Sequence, residues 1–110
     1  MTTPLELARA FVGAVEARDA DAAAALCAEE VEVMLPGAEA PLRGREGVRQ
    51  MIRMSPTFVQ SPRSEAEHGL EAHVTTLIRF PGAWANYTTW RFETDGELIR
   101  RLTFALRAAN

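Results

Sequence analysis

No lysine occurs in the 110-residue chain; all twelve basic side chains are arginine. Schiff-base chemistry on a lysine amine is thereby excluded, as is a P-loop, whose lysine must reach the phosphates. A single cysteine, Cys27, leaves no intramolecular disulfide. No apolar run approaches the ~20 residues needed to span a bilayer. The formal net charge of -3 gives no electrostatic reason to seek nucleic acid. Neither a membrane nor a nucleic acid is therefore expected as a partner. The opening MTTPLELARAF has neither a basic leader nor a continuous apolar run, from which a cytoplasmic location is expected. The only histidines, His68 and His73, are an odd number of residues apart, so on one unbroken strand they face opposite ways. No carboxylate completes a ligand set by spacing, and neither a metal nor another cofactor is expected.

What is present reads as one domain over residues 1–110, helices first and strands after, the α+β pattern. Thr3-Pro4-Leu5-Glu6 is a helix start: Thr3 can cap, Pro4 suits the first helical position and Glu6 can bond back to the cap amide. Leu5, Ala8, Phe11, Val12 and Val15 then recur at three- and four-residue spacing to about Arg18. Asp19 is placed to cap a short second helix through Cys27, which reads as a small apolar core residue. Val31, Val33 and Leu35 alternate as in a half-buried strand that Pro36-Gly37 ends. From Gly44 a third helix places Val48, Met51 and Ile52 on one face, and Ser55-Pro56 stops it. Beyond Arg63 the composition is that of strands: one around Ser64 to Glu71, then VTTLIRF, WANYTTWRF and ELIRRLTFALRA, separated by Pro81-Gly82 and Asp95-Gly96.

The segment WRFETDGELIRRLTFAL, preceded by AAAALCAEE, EVEVMLPG and PLRGREGVRQMI, resembles the SnoaL-like branch of the nuclear transport factor two-like superfamily over nearly the whole chain. The resemblance implies a cone-shaped barrel with three N-terminal helices packed on a strongly curved, mainly antiparallel sheet. It also implies a pocket on the helix side and a homodimer through the opposite sheet face. Such folds host cyclases, isomerases, dehydratases, epoxide hydrolases and plain binders, so the fold is more legible than the chemistry. In ketosteroid isomerase the catalytic set is a carboxylate base with a tyrosine and a protonated aspartic acid. Those positions align with Leu35, Phe11 and Thr88 here, none of which retains the required group. The polyketide-cyclase aspartate also falls near Thr88, and one aspartate of the limonene-epoxide-hydrolase pattern falls at Thr103.

If Pro81-Gly82 is a two-residue loop, Phe80 pairs with Ala83, Leu77 with Asn86, Thr75 with Thr88 and His73 with Trp90. The pocket face then carries His73, Arg79, Trp84, Asn86, Thr88 and Trp90. The dimer face carries Ile78, Phe80, Tyr87, Thr89 and Arg91. A loop one residue longer exchanges part of this assignment. On this register His73 is the candidate acid/base, since imidazole titrates nearest neutrality; an exposed histidine near a strand end is the plain alternative. Trp84 and Trp90 form a wall for a flat ring, or fill the core, while Asn86 and Thr88 orient a carbonyl, or serve structure. Phe11, Leu35 and Arg101 complete the candidate ligand-binding set, Arg101 either holding an anionic group or lying on the surface. Three functions remain open: an enzyme of cyclase, isomerase or dehydratase type, a non-catalytic binder of a small hydrophobic or aromatic molecule, and a pure dimerisation module.

Overall fold

The computed structural model describes residues 2–82 and 84–109. Three helices, α1 (Pro4–Glu16), α2 (Ala20–Ala25) and α3 (Gly44–Met54), pack on a sheet of six strands. These are β1 (Cys27–Met34), β2 (Leu42–Arg43), β3 (Val59–His68), β4 (Glu71–Arg79), β5 (Ala85–Thr94) and β6 (Ile99–Ala108). The spatial order is β2-β1-β6-β5-β4-β3, so β2 and β3 are edges and the sheet does not close on itself. All pairs are antiparallel except β1 with β6. That parallel pair brings the chain's first strand beside its last, which local pattern alone does not encode.

The helix starts follow their capping chemistry. The Thr3 hydroxyl accepts from the Glu6 amide at 3.1 Å while the Glu6 carboxylate accepts from the Thr3 amide at 3.0 Å. Asp19 accepts from the Ala22 amide at 3.1 Å and starts α2, which ends at Ala25, sooner than expected, because Cys27 already belongs to β1. Leu7, Ala8, Phe11, Val12 and Val15 of α1 and Val48, Met51 and Ile52 of α3 meet the inner sheet face in one core with Phe92, Ile99 and Leu102. Phe11 is fully buried, edge-on to Phe92 with centroids 5.6 Å apart. At Gly47 a Cβ would stand 3.1 Å from Leu42 Cβ, so the close approach of α3 to β2 depends on a residue without a side chain.

The β4–β5 hairpin differs from the two-residue expectation. Phe80 N–H donates to Trp84 C=O at 2.9 Å, and Ile78 pairs with Asn86, Thr76 with Thr88, Val74 with Trp90 and His73 with Arg91. The loop is thus one residue longer, with Gly82 in the left-handed region (φ +76°), and every β4 side chain exchanges faces relative to β5. Ala83, expected opposite Phe80, lies outside the described residues. The Asp95-Gly96 connection is wider too: Asp95 Oδ1 accepts from the amides of Glu97 and Leu98, both at 2.9 Å, and β6 begins only at Ile99.

Candidate functional site

The corrected register sorts the sheet into two unlike faces. Inward point Val74, Thr76 and Ile78 of β4 with Asn86, Thr88, Trp90 and Phe92 of β5, all buried. Outward point His73, Thr75, Leu77 and Arg79 with Tyr87, Thr89, Arg91 and Glu93. The inner face does not pack completely. Between it and the helices is a cavity of about 280 Å³. Val15 of α1 and Met51 and Ile52 of α3 bound it on the helix side; Ser55, Pro56 and Phe58 come from the connection into β3. The sheet contributes Ile78, Asn86, Thr88, Trp90, Phe104 and Leu106, and Phe80 and Trp84, the pair that closes the hairpin loop, complete the lining. Trp84 and Leu106 are more than half exposed and mark the mouth. The Arg18 guanidinium donates to the Ser55 carbonyl, tying the corner between α1 and α2 to the rim of the cavity.

Five aromatic rings line this space. Phe80 stacks on Phe58 with centroids 5.9 Å apart and lies 4.3 Å from Trp84, while Trp90 and Phe104 are 5.1 Å apart. Polar groups are few and neutral. The Thr88 hydroxyl donates to Asn86 Oδ1 at 2.7 Å, and the Trp90 indole N–H donates to Thr76 Oγ1 at 3.3 Å. Among the described lining residues there is no carboxylate, imidazole, thiol, phenol or guanidinium. Nor do the described residues contain a group of three or more His, Cys, Asp or Glu side chains able to hold a metal ion.

Four expected site residues come together here: Trp84, Asn86, Thr88 and Trp90. Phe11 lies behind the wall, with its ring 6.5 Å from that of Trp90. Leu35, just past β1, packs against the core without lining the cavity. His73 is not in it: the longer loop turns the side chain outward, where it is 44% exposed and Nε2 lies 3.6 Å from Glu71 Oε1. Arg101 is also on the outer face, paired with Glu32 at 3.1 Å and Glu93 at 4.0 Å, because β1 brings Glu32 opposite it. Arg79 is outward and exposed. The inner positions of Ile78 and Phe80 correct the expected dimer face, of whose residues Tyr87, Thr89 and Arg91 remain outward. Phe58, Phe80, Phe104 and Leu106 were not anticipated as lining. For Phe104 and Leu106 the signal was their two-residue alternation with Leu102, and for Phe80 that with Val74 and Ile78; Phe58 sits before β3 and carries none.

Cys27 is 1% exposed, and its thiol donates to the Ala23 carbonyl at 3.4 Å. Burial pushes the thiol up to about 12, against a smaller opposing pull from Arg45. It is a core group without thiolate character near neutral pH.

A family model described as a SnoaL-like domain matches residues 8–101. No curated protein matches the sequence. Among solved structures, a protein from Sphaerobacter thermophilus superposes with a TM-score of 0.88 at 26% identity, over 99% of this chain and 100% of that one. A provisionally named ketosteroid isomerase from Kribbella flavida gives 0.86 at 22% identity, over 97% of this chain and 79% of that one. A provisionally named polyketide cyclase from Sinorhizobium meliloti gives 0.75 at 21% identity, over 91% and 94%. The chain belongs to the SnoaL-like family. The last two likenesses are of fold alone.

Proposed function

We propose that this SnoaL-like domain binds a small, apolar, ring-bearing molecule and does not itself carry out acid–base chemistry. The observation that supports the reading is the composition of the cavity: five aromatic rings, and no titratable side chain among its described lining residues. A general acid or base must reach the proton it moves within ~2.6–3.2 Å or through one water. His73 is on the other side of the sheet. The neutral amide and hydroxyls can orient a ligand, and apolar walls with a few such groups are the usual make-up of a small-molecule site.

The test is fluorescence titration with bicyclic aromatic compounds. A bound ring beside Trp84 and Trp90 should quench indole emission, and Trp90→Ala should weaken binding by ~1–3 kcal/mol through lost contact area. Failure of any such compound to change the emission or to bind calorimetrically would reject the reading.

We further propose that two copies associate through the outer sheet face. In support, Thr75, Tyr87, Thr89 and Ala105 make an uncharged strip on adjacent strands there, with Arg107 set over the Tyr87 ring at 4.7 Å. Sedimentation should detect a dimer at micromolar concentration that Tyr87→Asp weakens; a wild-type monomer would refute the assembly.

A further inference from the structure

The cavity contains one amide whose orientation is fixed from within the protein. Asn86 is 4% exposed and Thr88 1%, and the Thr88 hydroxyl donates to Asn86 Oδ1. With its oxygen engaged, the amide turns its Nδ2 end away from Thr88, and Nδ2 donates to none of the described residues. Asn86 lines the cavity, which places this amide at the wall a ligand would touch. The Trp90 indole N–H, another donor of the inner face, is taken by Thr76. Asparagine is disfavoured within strands, and a donor left unpaired in an apolar wall is unfavourable. A ligand acceptor removes that penalty.

Resting on the binding reading above, we infer that Asn86 is the specificity-determining donor of the cavity, and that the ligand is an uncharged compound of about two fused rings bearing a carbonyl-type acceptor. The size follows from the volume: an apolar cavity of ~150 Å³ accommodates benzene, and this one measures about 280 Å³. The neutrality follows from the walls. A carboxylate or ammonium ligand would lose its hydration with no opposite charge among the described lining residues. Thr88 acts as a positioning residue, since its hydroxyl proton holds the amide with N–H directed at the ligand.

The probes are 1-tetralone, its hydrocarbon counterpart tetralin, and 1-naphthoate, titrated into the intact chain by calorimetry. Wild type should bind 1-tetralone ~3–10-fold more tightly than tetralin, the worth of one neutral hydrogen bond. Asn86→Leu should abolish that preference while tetralin binds as well or better. Thr88→Val, which keeps the donor but frees the amide to rotate, should reduce the preference part-way, and it decides the matter if Asn86→Leu does not fold by near-ultraviolet circular dichroism. An unchanged preference in whichever folded variant is measured would overturn the role of Asn86, and tight binding of 1-naphthoate would overturn the neutral ligand class. Equal binding of the two neutral probes by wild type would sink this inference but leave the apolar-binding reading standing; binding of neither would remove both.

Discussion

The two faces of the sheet are built from the same strands and share almost no chemistry. Along β5, Asn86, Thr88, Trp90 and Phe92 face the helices, and the residues between them, Tyr87, Thr89, Arg91 and Glu93, face away. The inner set is apolar or neutral. Of the outer set, Arg91 and Glu93 belong to a lattice of ion pairs: Arg91 with Glu71 at 2.9 Å, and Arg101 between Glu32 and Glu93, with Arg43 also on Glu32. The Arg91 guanidinium holds the Glu71 carboxyl below the usual carboxylate range, with His73 adding a smaller pull. Nearly all the titratable side chains of the last three strands are thus kept outside. The fold contains an apolar cavity on one side and conventional acid–base groups on the other, and one residue of hairpin loop decides which is which.

The sharpest way to break that comparison is to place the same charge on neighbouring residues of β4. Ile78 is 5% exposed and lines the cavity, while Arg79 is exposed on the outer face. Ile78→Asp should destabilise the protein by about 3 kcal/mol or more, because an unpaired carboxylate is buried, and should abolish ring-ligand binding. Arg79→Asp should stay within about 0.5 kcal/mol of wild type. Urea unfolding of both variants reads the difference. Comparable losses at the two positions would mean that the register is wrong.

That register also marks how far the sequence could be read. The helix caps at Thr3 and Asp19 and the buried stripes of α1 and α3 are local, encoded within a few residues, and they form as expected except that Leu7 is buried where Leu5 is only half-buried. The grouping of Asn86, Thr88 and Trp90 was legible too, since alternation within one strand does not depend on a turn. The placement of His73 required the cross-strand register, and hence the loop length. Val74, Thr76, Ile78 and Phe80 form a more apolar alternate set than His73, Thr75, Leu77 and Arg79, so burying the more apolar set selects the observed pairing without any assumption about the loop. Arg101 illustrates a deeper limit. Its partner Glu32 is brought beside it by the parallel β1–β6 contact, a pairing 69 residues apart that no local spacing reveals.

The next largest effect is the alkaline limit of the buried side. Cys27 ionises at an ordinary value of 9.0 when unfolded and is pushed up to about 12 by burial in the native chain. Below pH 9 both states keep the proton and the thiol costs nothing. As pH rises from there toward 12 the unfolded chain releases the proton while the folded chain retains it, so stability falls progressively through that window. No lysine is present to add to that slope. Denaturation midpoints measured from pH 8 to 10.5 should decline in wild type and decline less in Cys27→Ala. At pH 8 a thiol reagent should react with Cys27 only after denaturant is added, and fast labelling of the native protein would contradict its enclosure.

The smallest expected effect falls on the outer face, where the comparison demands near silence. His73 stands beside Glu71 and across from Arg91, with the sheet between it and the cavity. No hydrogen-bond path through described side chains joins it to Asn86 or Thr88, whose hydroxyl and amide oxygen are bound to each other. His73→Ala should therefore leave ring-ligand affinity within experimental error of wild type. Glu71→Gln, which removes the carboxylate from Arg91, should leave it equally unchanged while producing a small stability loss that vanishes in high salt, as expected of an exposed pair. Affinity should also be flat with pH across neutrality, since no titratable group is among the described lining residues. A bell-shaped pH profile that disappears in His73→Ala would show that the outer face reaches the cavity after all, and would restore the imidazole as an acid/base on the ligand.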